Sequence, residues 1–239
     1  MDRRRNPGRK WRLWLAAGVA ACLLANGAWV WLSWGLPQGE KLRAETRARC
    51  RTHGAALWLA LPAISGKLRT AVVEWEDAGF YRHGAIDREA IREALLADLR
   101  AGKYEHGGST ITQQLARTLF LTREKTLRRK LREIILARRL EALFAKDEIL
   151  EMYLNTADWG PGVAGAEAAA RIYCGKPARD LEWKDAAMLA GMLANPRRFS
   201  PLEYPKKAQV REELVREKLV QEKAVSEEEY RASEAESRR

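Results

Sequence analysis

The chain of 239 residues is poor in the residues from which metal centres and covalent frameworks are built. Its three histidines and three cysteines form no zinc spacing, which sets aside a zinc-organised fold. Cys22 falls in an apolar segment. That leaves Cys50 and Cys174 for a disulfide, although two thiols with no spacing motif read equally well as unpaired and buried. β-Branched runs are scarce and clusters of Gly, Pro and Asn are confined to short stretches, which argues for a mainly helical chain. Internal repeats and low-complexity tracts are absent. At this length one core of about 180 to 200 residues plus an extension fits, and two cores do not.

Charge is missing altogether from Leu13 to Leu36. At ~1.5 Å per residue this stretch reaches roughly 36 Å as a helix, enough to cross a hydrocarbon core of about 30 Å. Trp11, Trp14, Trp29, Trp31 and Trp34 lie near its ends, where indole rings prefer the membrane interface. The Arg-rich residues before it favour a cytoplasmic N-terminus with the rest of the chain outside. A cleaved signal peptide is the rival reading. The stretch is longer than the usual ~7 to 15 residue apolar region and no small-x-small cleavage site follows it, which favours a retained anchor. The net charge is +11, and it is local: residues 1–12 contribute +5, residues 117–139 contribute +7, and the remainder comes to −1. A nucleic-acid binder can own such blocks, but the first stands directly before the apolar segment, which accounts for it.

Behind the anchor, residues 37–56 read as a charged stalk, with Glu40 to His53 either a short helix or irregular, and Leu57 to Ser65 leads into the folded domain. Residues 205–239 read as a charged tail with a thin apolar stripe, either a peripheral helix pair or partly disordered. The spacing predicts helices from an Asp87 cap to Ala101, from Ile111 to Phe120, from a Thr122 cap to Phe144, from Asp147 to Asn155, and from about Trp183 to Ala194. An alanine-rich helix should end near Cys174 and Gly175. Thr110 and Gln113 fit a reciprocal capping box. In the helix after Thr122, Leu127, Leu131, Ile134, Ile135 and Leu143 alternate with a dense basic face, so one side is core and the other meets solvent or ligand.

Two carboxylates stand out by context: Glu76, in the run Glu74-Trp75-Glu76-Asp77, and Glu133, an acid in the middle of the basic helix. An acid so placed is ordinarily an intrahelical ion pair. Here Arg129 and Lys130 precede Glu133 by four and three residues, so all three project from one face, a cluster suited to holding a polyanion beside a carboxylate. Gly107-Gly108-Ser109-Thr110 stands at a helix N-terminus, where free N–H groups favour an anion, with Gln114 and Arg117 following at helical spacing. An ordinary capped helix explains that run alone; three anion-seeking elements within about 30 residues point to a ligand.

These residues resemble, in order, the motifs of the peptidoglycan polymerases of glycosyltransferase family 51, which occur alone or fused in class A penicillin-binding proteins. Glu76-Asp77-x-x-Phe80-x-x-His83 is similar to the first motif and Gly107 to Leu121 to the second. Arg129-Lys130-x-x-Glu133 is similar to the third, and Lys146-x-Glu148-Ile149-Leu150-Glu151-x-Tyr153-Leu154-Asn155 to the fourth. Gly160 to Ala170 with Tyr173, Gly175, Lys176 and Pro177, then Ala186 to Pro201, resembles the closing segment, so residues 57 to 201 are covered. The chain departs from the family at His83-Gly84-Ala85, where the glycine usually comes one position later, at Arg117, where Lys is usual, and at Trp75, where a small residue is usual.

The resemblance implies a mainly α protein: an N-terminal transmembrane helix at 13–36 after a basic segment at 1–12, then one lysozyme-like helical domain at 57–204. It implies a single-pass protein of the bacterial inner membrane with a periplasmic catalytic domain, which polymerises lipid II into β-1,4-linked glycan by an inverting mechanism. Glu76 and Glu133 are implied as catalytic, Glu76 as the general base. Asp77, Phe80, His83, Ser109, Thr110, Thr112, Gln114, Arg117, Arg129 and Lys130 are implied to bind substrate and pyrophosphate. Glu133 is implied either as a ligand of a divalent cation, Mg2+ or Mn2+, or as an acid that steadies the pyrophosphate; no organic cofactor is implied. The implied partners are lipid II, the growing glycan strand, membrane lipid, and cell-wall synthesis and division proteins, with no nucleic acid. Two other readings stay open: a lysozyme-like lytic enzyme acting on finished peptidoglycan, whose leaving group needs a proton donor, and a non-catalytic scaffold that binds anionic lipid through its basic helix.

Overall fold

The computed structural model describes residues 8–53, 57–101, 108–122 and 124–237, so Gly107 and the turn before it lie outside the described residues. Among the described residues there are eleven α-helices, two single 3-10 turns and no strand. In chain order the helices are α1 (Gly8–Ser33), α2 (Gly39–His53), α3 (Gly66–Asp77), α4 (Arg88–Ala101), α5 (Ile111–Phe120), α6 (Leu127–Glu141), α7 (Lys146–Thr156), α8 (Ala166–Cys174), α9 (Trp183–Met192), α10 (Pro205–Gln221) and α11 (Glu227–Ser237).

Local chemistry sets several of these boundaries. The Asp87 carboxylate accepts from the Ala90 N–H at 2.9 Å and opens α4, and the Ser226 hydroxyl accepts from the Glu229 N–H at 3.1 Å and opens α11. Helix α8 stops at Gly175, which takes the left-handed conformation (φ 70°) that a side chain would resist. Helix α6 begins one turn later than the sequence suggests. Thr126, not Thr122, accepts from the Arg129 N–H at 3.1 Å, and Thr122 borders a cleft instead. The Thr110 box is only half formed. The Thr110 hydroxyl accepts from the Gln113 N–H, but the Gln113 amide donates to the Ala85 carbonyl, while Asp77 takes the Ile111 N–H at 2.9 Å.

The core lies where α3, α5, α7 and α9 meet. Leu68, Ala71 and Val72 of α3 are fully buried with Ile111 and Leu115 of α5, Ile149 and Leu154 of α7, and Ala186, Leu189 and Ala190 of α9. The alanines let α3 and α9 approach closely, which fixes the last turn of α3, the turn that carries Glu76.

Three expectations are corrected by this packing. The stalk takes the helical of its two expected forms but is packed into the domain: α2 buries Leu42, Thr46 and Cys50, and a fully buried leucine is worth about 1.5 to 3 kcal/mol. Two of its arginines hold the ends of other helices, Arg43 donating to the Leu143 carbonyl at 2.7 Å and Arg49 to the Leu119 carbonyl at 2.9 Å. The charged tail is a helix pair, one of its two expected forms, but it is not peripheral: α10 packs on α9 and α3 and buries Ala208, Val215 and Leu219, and α11 buries Tyr230.

The basic face of α6, expected to meet solvent or ligand, is divided. Its outer arginines grip the end of α1: Arg132 donates to the Trp34 carbonyl at 3.2 Å, Arg139 to the Leu36 and Pro37 carbonyls at 3.2 and 2.9 Å, and Arg128 lies 4.5 Å over the Trp31 ring. Cys50 and Cys174 are both free thiols. Among the residues whose side chains are described, no helix is long and apolar enough to cross a membrane; for α1 those side chains are Trp14 and residues 17–33.

Candidate active site

Glu76 closes α3, and its carboxylate is held by a short polar chain. The Gln114 amide donates to Glu76 Oε2 at 2.7 Å, and the buried Tyr153 hydroxyl donates to Gln114 Oε1 at 3.1 Å. A carboxylate only accepts, so Gln114 must turn its NH2 toward Glu76, and its carbonyl is left for Tyr153. Burial pushes the Glu76 carboxyl above the ordinary carboxylate range, opposed by the Gln114 hydrogen bond and by the charges of Arg211, Arg117 and Lys218. This is the tuning a carboxylate needs to act as a base near neutral pH. Burial raises Tyr153 further still, with Glu76 adding to it, so its hydroxyl stays a donor.

Asp77, the next residue, works for the architecture. One oxygen accepts the Ile111 N–H at the start of α5, and the other meets His83 Nε2 at 2.5 Å. Burial raises the Asp77 carboxyl, and these two donors oppose the rise. His83 lies 3.5 Å from Asp87, the cap of α4, and its Nδ1 faces the Gly84 carbonyl at 2.5 Å. The ring thus ties together two carboxylates that cap two different helices. Gly79 makes room for it, because a Cβ there would fall 2.7 Å from His83 Cδ2 and 2.9 Å from Asp87 Oδ2.

The inner face of α6 provides the second carboxylate. Glu133 is fully buried; Arg129 pairs with its Oε2 and Lys130 Nζ lies 2.6 Å from Oε1. Lys130 also donates to Ser109 Oγ at 2.7 Å and to Gln113 Oε1 at 2.8 Å, so it bridges α6 to the start of α5. Both oxygens of Glu133 are therefore engaged by cations, and its donor set does not fit a hard divalent ion, which needs free oxygens. Among the described residues the one group with ligand-like clustering is Asp77, His83 and Asp87, whose ligand atoms lie within 4.8 Å of one another. The helix caps described above account for it.

Two cavities adjoin the polar chain that holds Glu76, one at Glu76 and the other at Gln114 and Tyr153. One, of about 460 Å³, is lined by Glu76, Asp77, His83, Arg82, Ser109, Thr110 and Lys218 among others. The other, of about 930 Å³, is bordered by Gln114, Arg117, Arg129, Tyr153 and the Gly160-Pro161-Gly162 loop. Both fall in the size range of small-molecule sites. The Glu76–Gln114–Tyr153 chain stands at the divide between them.

Of the predicted site residues, Glu76, Asp77, His83, Ser109 and Thr110 meet at the first cavity and Gln114, Arg117 and Arg129 at the second. Lys130 and Glu133 stand directly behind, joined to Ser109. Phe80 and Thr112 do not reach either cavity. Phe80 is fully buried with Lys146 Nζ 4.4 Å over its ring, and Thr112 is fully buried and donates to Glu141 at 2.6 Å. Three residues that the structure brings to Glu76 carried no role in the sequence reading: Tyr153, Arg211 and Lys218. Tyr153 lay in a quoted motif, at helical spacing on α7, where a signal existed. Arg211 and Lys218 lay in the supposed tail, where none did.

The transglycosylase family profile matches residues 44–220, a span that takes in most of α2 and nearly all of α10. The chain is 39% identical over 200 residues to the biosynthetic peptidoglycan transglycosylase of Thiobacillus denitrificans, covering 78% of this chain and 86% of that one. It is 43% identical over 185 residues to the protein of the same name from Rhodospirillum centenum, covering 77% and 79%. It is also 40% identical over 187 residues to penicillin-binding protein 1A of Aquifex aeolicus, where 76% of this chain spans 25% of that longer protein.

Proposed function

The chain belongs to the transglycosylase family, and with that as premise we propose that it is a peptidoglycan glycosyltransferase that polymerises lipid II. The observation that carries the proposal is one hydrogen-bonded chain, Glu76–Gln114–Tyr153, that joins two cavities. Glu76 opens into the first, and Arg117 and Arg129 line the second.

In this reading Glu76 takes the proton of the acceptor sugar 4-hydroxyl as that oxygen attacks the anomeric carbon of the donor strand. The new C–O bond forms on the face opposite the departing group, giving a β-1,4 link. The bond to the polyprenyl pyrophosphate breaks, and the leaving group departs with the electron pair as an anion. Such a leaving group needs charge compensation more than it needs a proton. Arg117, Arg129 and Lys130 supply the charge, and Glu133 holds Arg129 and Lys130 in place as a counter-ion. No step is assigned to a divalent cation.

The same reading places α1 as a membrane anchor. The uncharged run from Leu13 to Leu36 supports it, as do the exposed Leu23, Leu24 and Val30. Leu127 and Leu131, exposed on α6 beside the end of α1, are placed to dip into the headgroup layer. Tethering suits a lipid-borne substrate because it confines the search to two dimensions.

The test is to incubate the detergent-solubilised full chain with lipid II in one arm and finished peptidoglycan in the other. Consumption of lipid II with growth of polymer is expected. Release of fragments from peptidoglycan would replace this reading with a lytic one. Binding to anionic vesicles with neither substrate consumed would leave only a scaffold.

A further inference from the structure

Helix α10 crosses α9 at Gly191, where a Cβ would stand 3.2 Å from Arg211 Cβ and 3.3 Å from its backbone, so the glycine permits the close crossing. Arg211 Nε donates to the Gly191 carbonyl at 3.3 Å. Its guanidinium carbon lies 4.8 Å from the Trp75 ring centroid and 4.9 Å from that of Phe199. Guanidinium is weakly hydrated and stacks well on aromatic faces, which explains how a half-buried charge is tolerated there. Among the described residues Arg211 has no carboxylate within ion-pair distance, unlike Arg129, which pairs with Glu133. Trp75 directly precedes Glu76. Lys218, seven residues after Arg211 and so on the same face of α10, lies 5.8 Å over the same Trp75 ring and lines the cavity into which Glu76 opens.

We propose that Arg211 is a positioning residue for the base: clamped on Trp75, it sets a fixed positive charge behind Glu76, and Lys218 adds to that charge from the cavity side. The structure of α10 is thereby part of the active site. Other charged or titratable groups around Glu76 are Arg117 of α5 and Tyr153 of α7, with Glu74 and Asp77 as its neighbours on α3. Arg117 borders the second cavity and is placed to be engaged by the leaving group, whereas Arg211 has no second task. The mutual influence of Arg211 and Glu76 supports this, each charge favouring the ionised form of the other against burial.

The inference rests on the proposed role of Glu76, and its test is chosen to be separable from it. The full chain, labelled with 13C at the glutamate carboxyls, is titrated by NMR without substrate, with Glu76→Gln identifying the resonance. In Arg211→Met, which keeps the stem and removes the charge, the Glu76 midpoint should rise by roughly one pH unit, and Arg211→Lys should restore it. The acidic limb of the polymerisation rate should move with it. An unmoved midpoint in Arg211→Met would overturn the proposal. If Arg211→Met fails to fold by circular dichroism, Lys218→Met decides: a smaller rise sustains the proposal and no rise overturns it. An inactive parent chain with the expected midpoint shifts would defeat the polymerase reading and leave this one standing.

Discussion

Helices α6 and α10 look alike on paper, each a run of charge with a narrow apolar stripe, yet the structure uses the cations nearest the site in opposite ways. On α6 the inner cations are paired with a fully buried carboxylate, Glu133, and the outer ones hold the end of α1. On α10 Arg211 is paired with no acid and rests on aromatic rings beside Glu76. A paired cation is a fixed part with its geometry set by its partner, while an unpaired one projects its charge onto whatever lies next to it. Density of charge in a sequence therefore says less than the partner each charge finds.

Breaking the paired side gives the largest effects. Lys130→Met removes one of the charges proposed to meet the leaving group and also unties Ser109, so turnover of lipid II should fall roughly 10²- to 10³-fold with helical content unchanged. Glu133→Gln leaves Arg129 and Lys130 without their acid. Urea unfolding should show a loss of about 3 kcal/mol, the low end for a broken buried pair because Lys130 is partly open to solvent. If the chain keeps its full stability, the description of Glu133 as a counter-ion is wrong.

The smallest effect sharpens the contrast from the side of the base. Tyr153→Phe frees the Gln114 amide to turn, a net loss of about 1 kcal/mol and so a rate reduction of roughly fivefold, read as initial rate at saturating lipid II. A fall larger than that of Lys130→Met would make Tyr153 more than a support.

Much of this could be read from the residues alone. Helix α5 from Ile111 to Phe120 was legible because cap, periodicity and stop agree, and the cluster of Arg129, Lys130 and Glu133 was legible because i, i+3 and i+4 spacing places them on one face whatever the fold. Thr122 and Thr126 both offer a hydroxyl before a helical run, and only tertiary placement selects the second. Phe80 and Thr112 lie outside the lining of both cavities, because a sequence motif does not tell a residue that faces a cavity from one packed behind it. Arg211 was out of reach, since its position depends on Gly191 and Trp75, 20 residues and 136 residues away along the chain.

The ionisation of Glu76 joins stability to activity. Its burial raises the carboxyl above the unfolded value, so it contributes stability that is complete below the unfolded pKa and lost as pH rises through the folded one. At neutral pH the ionised base thus costs the fold something, and activity should fall on the acid side of neutral as Glu76 takes up its proton. Replacing Glu76 by Gln in the full chain, with lipid II polymerisation and urea unfolding measured at neutral pH on the same preparation, tests the central claim most directly. The expected result is a loss of ~10²- to 10⁴-fold in turnover with stability equal to or above that of the parent; substantial residual polymerisation by a folded Glu76→Gln chain would contradict it.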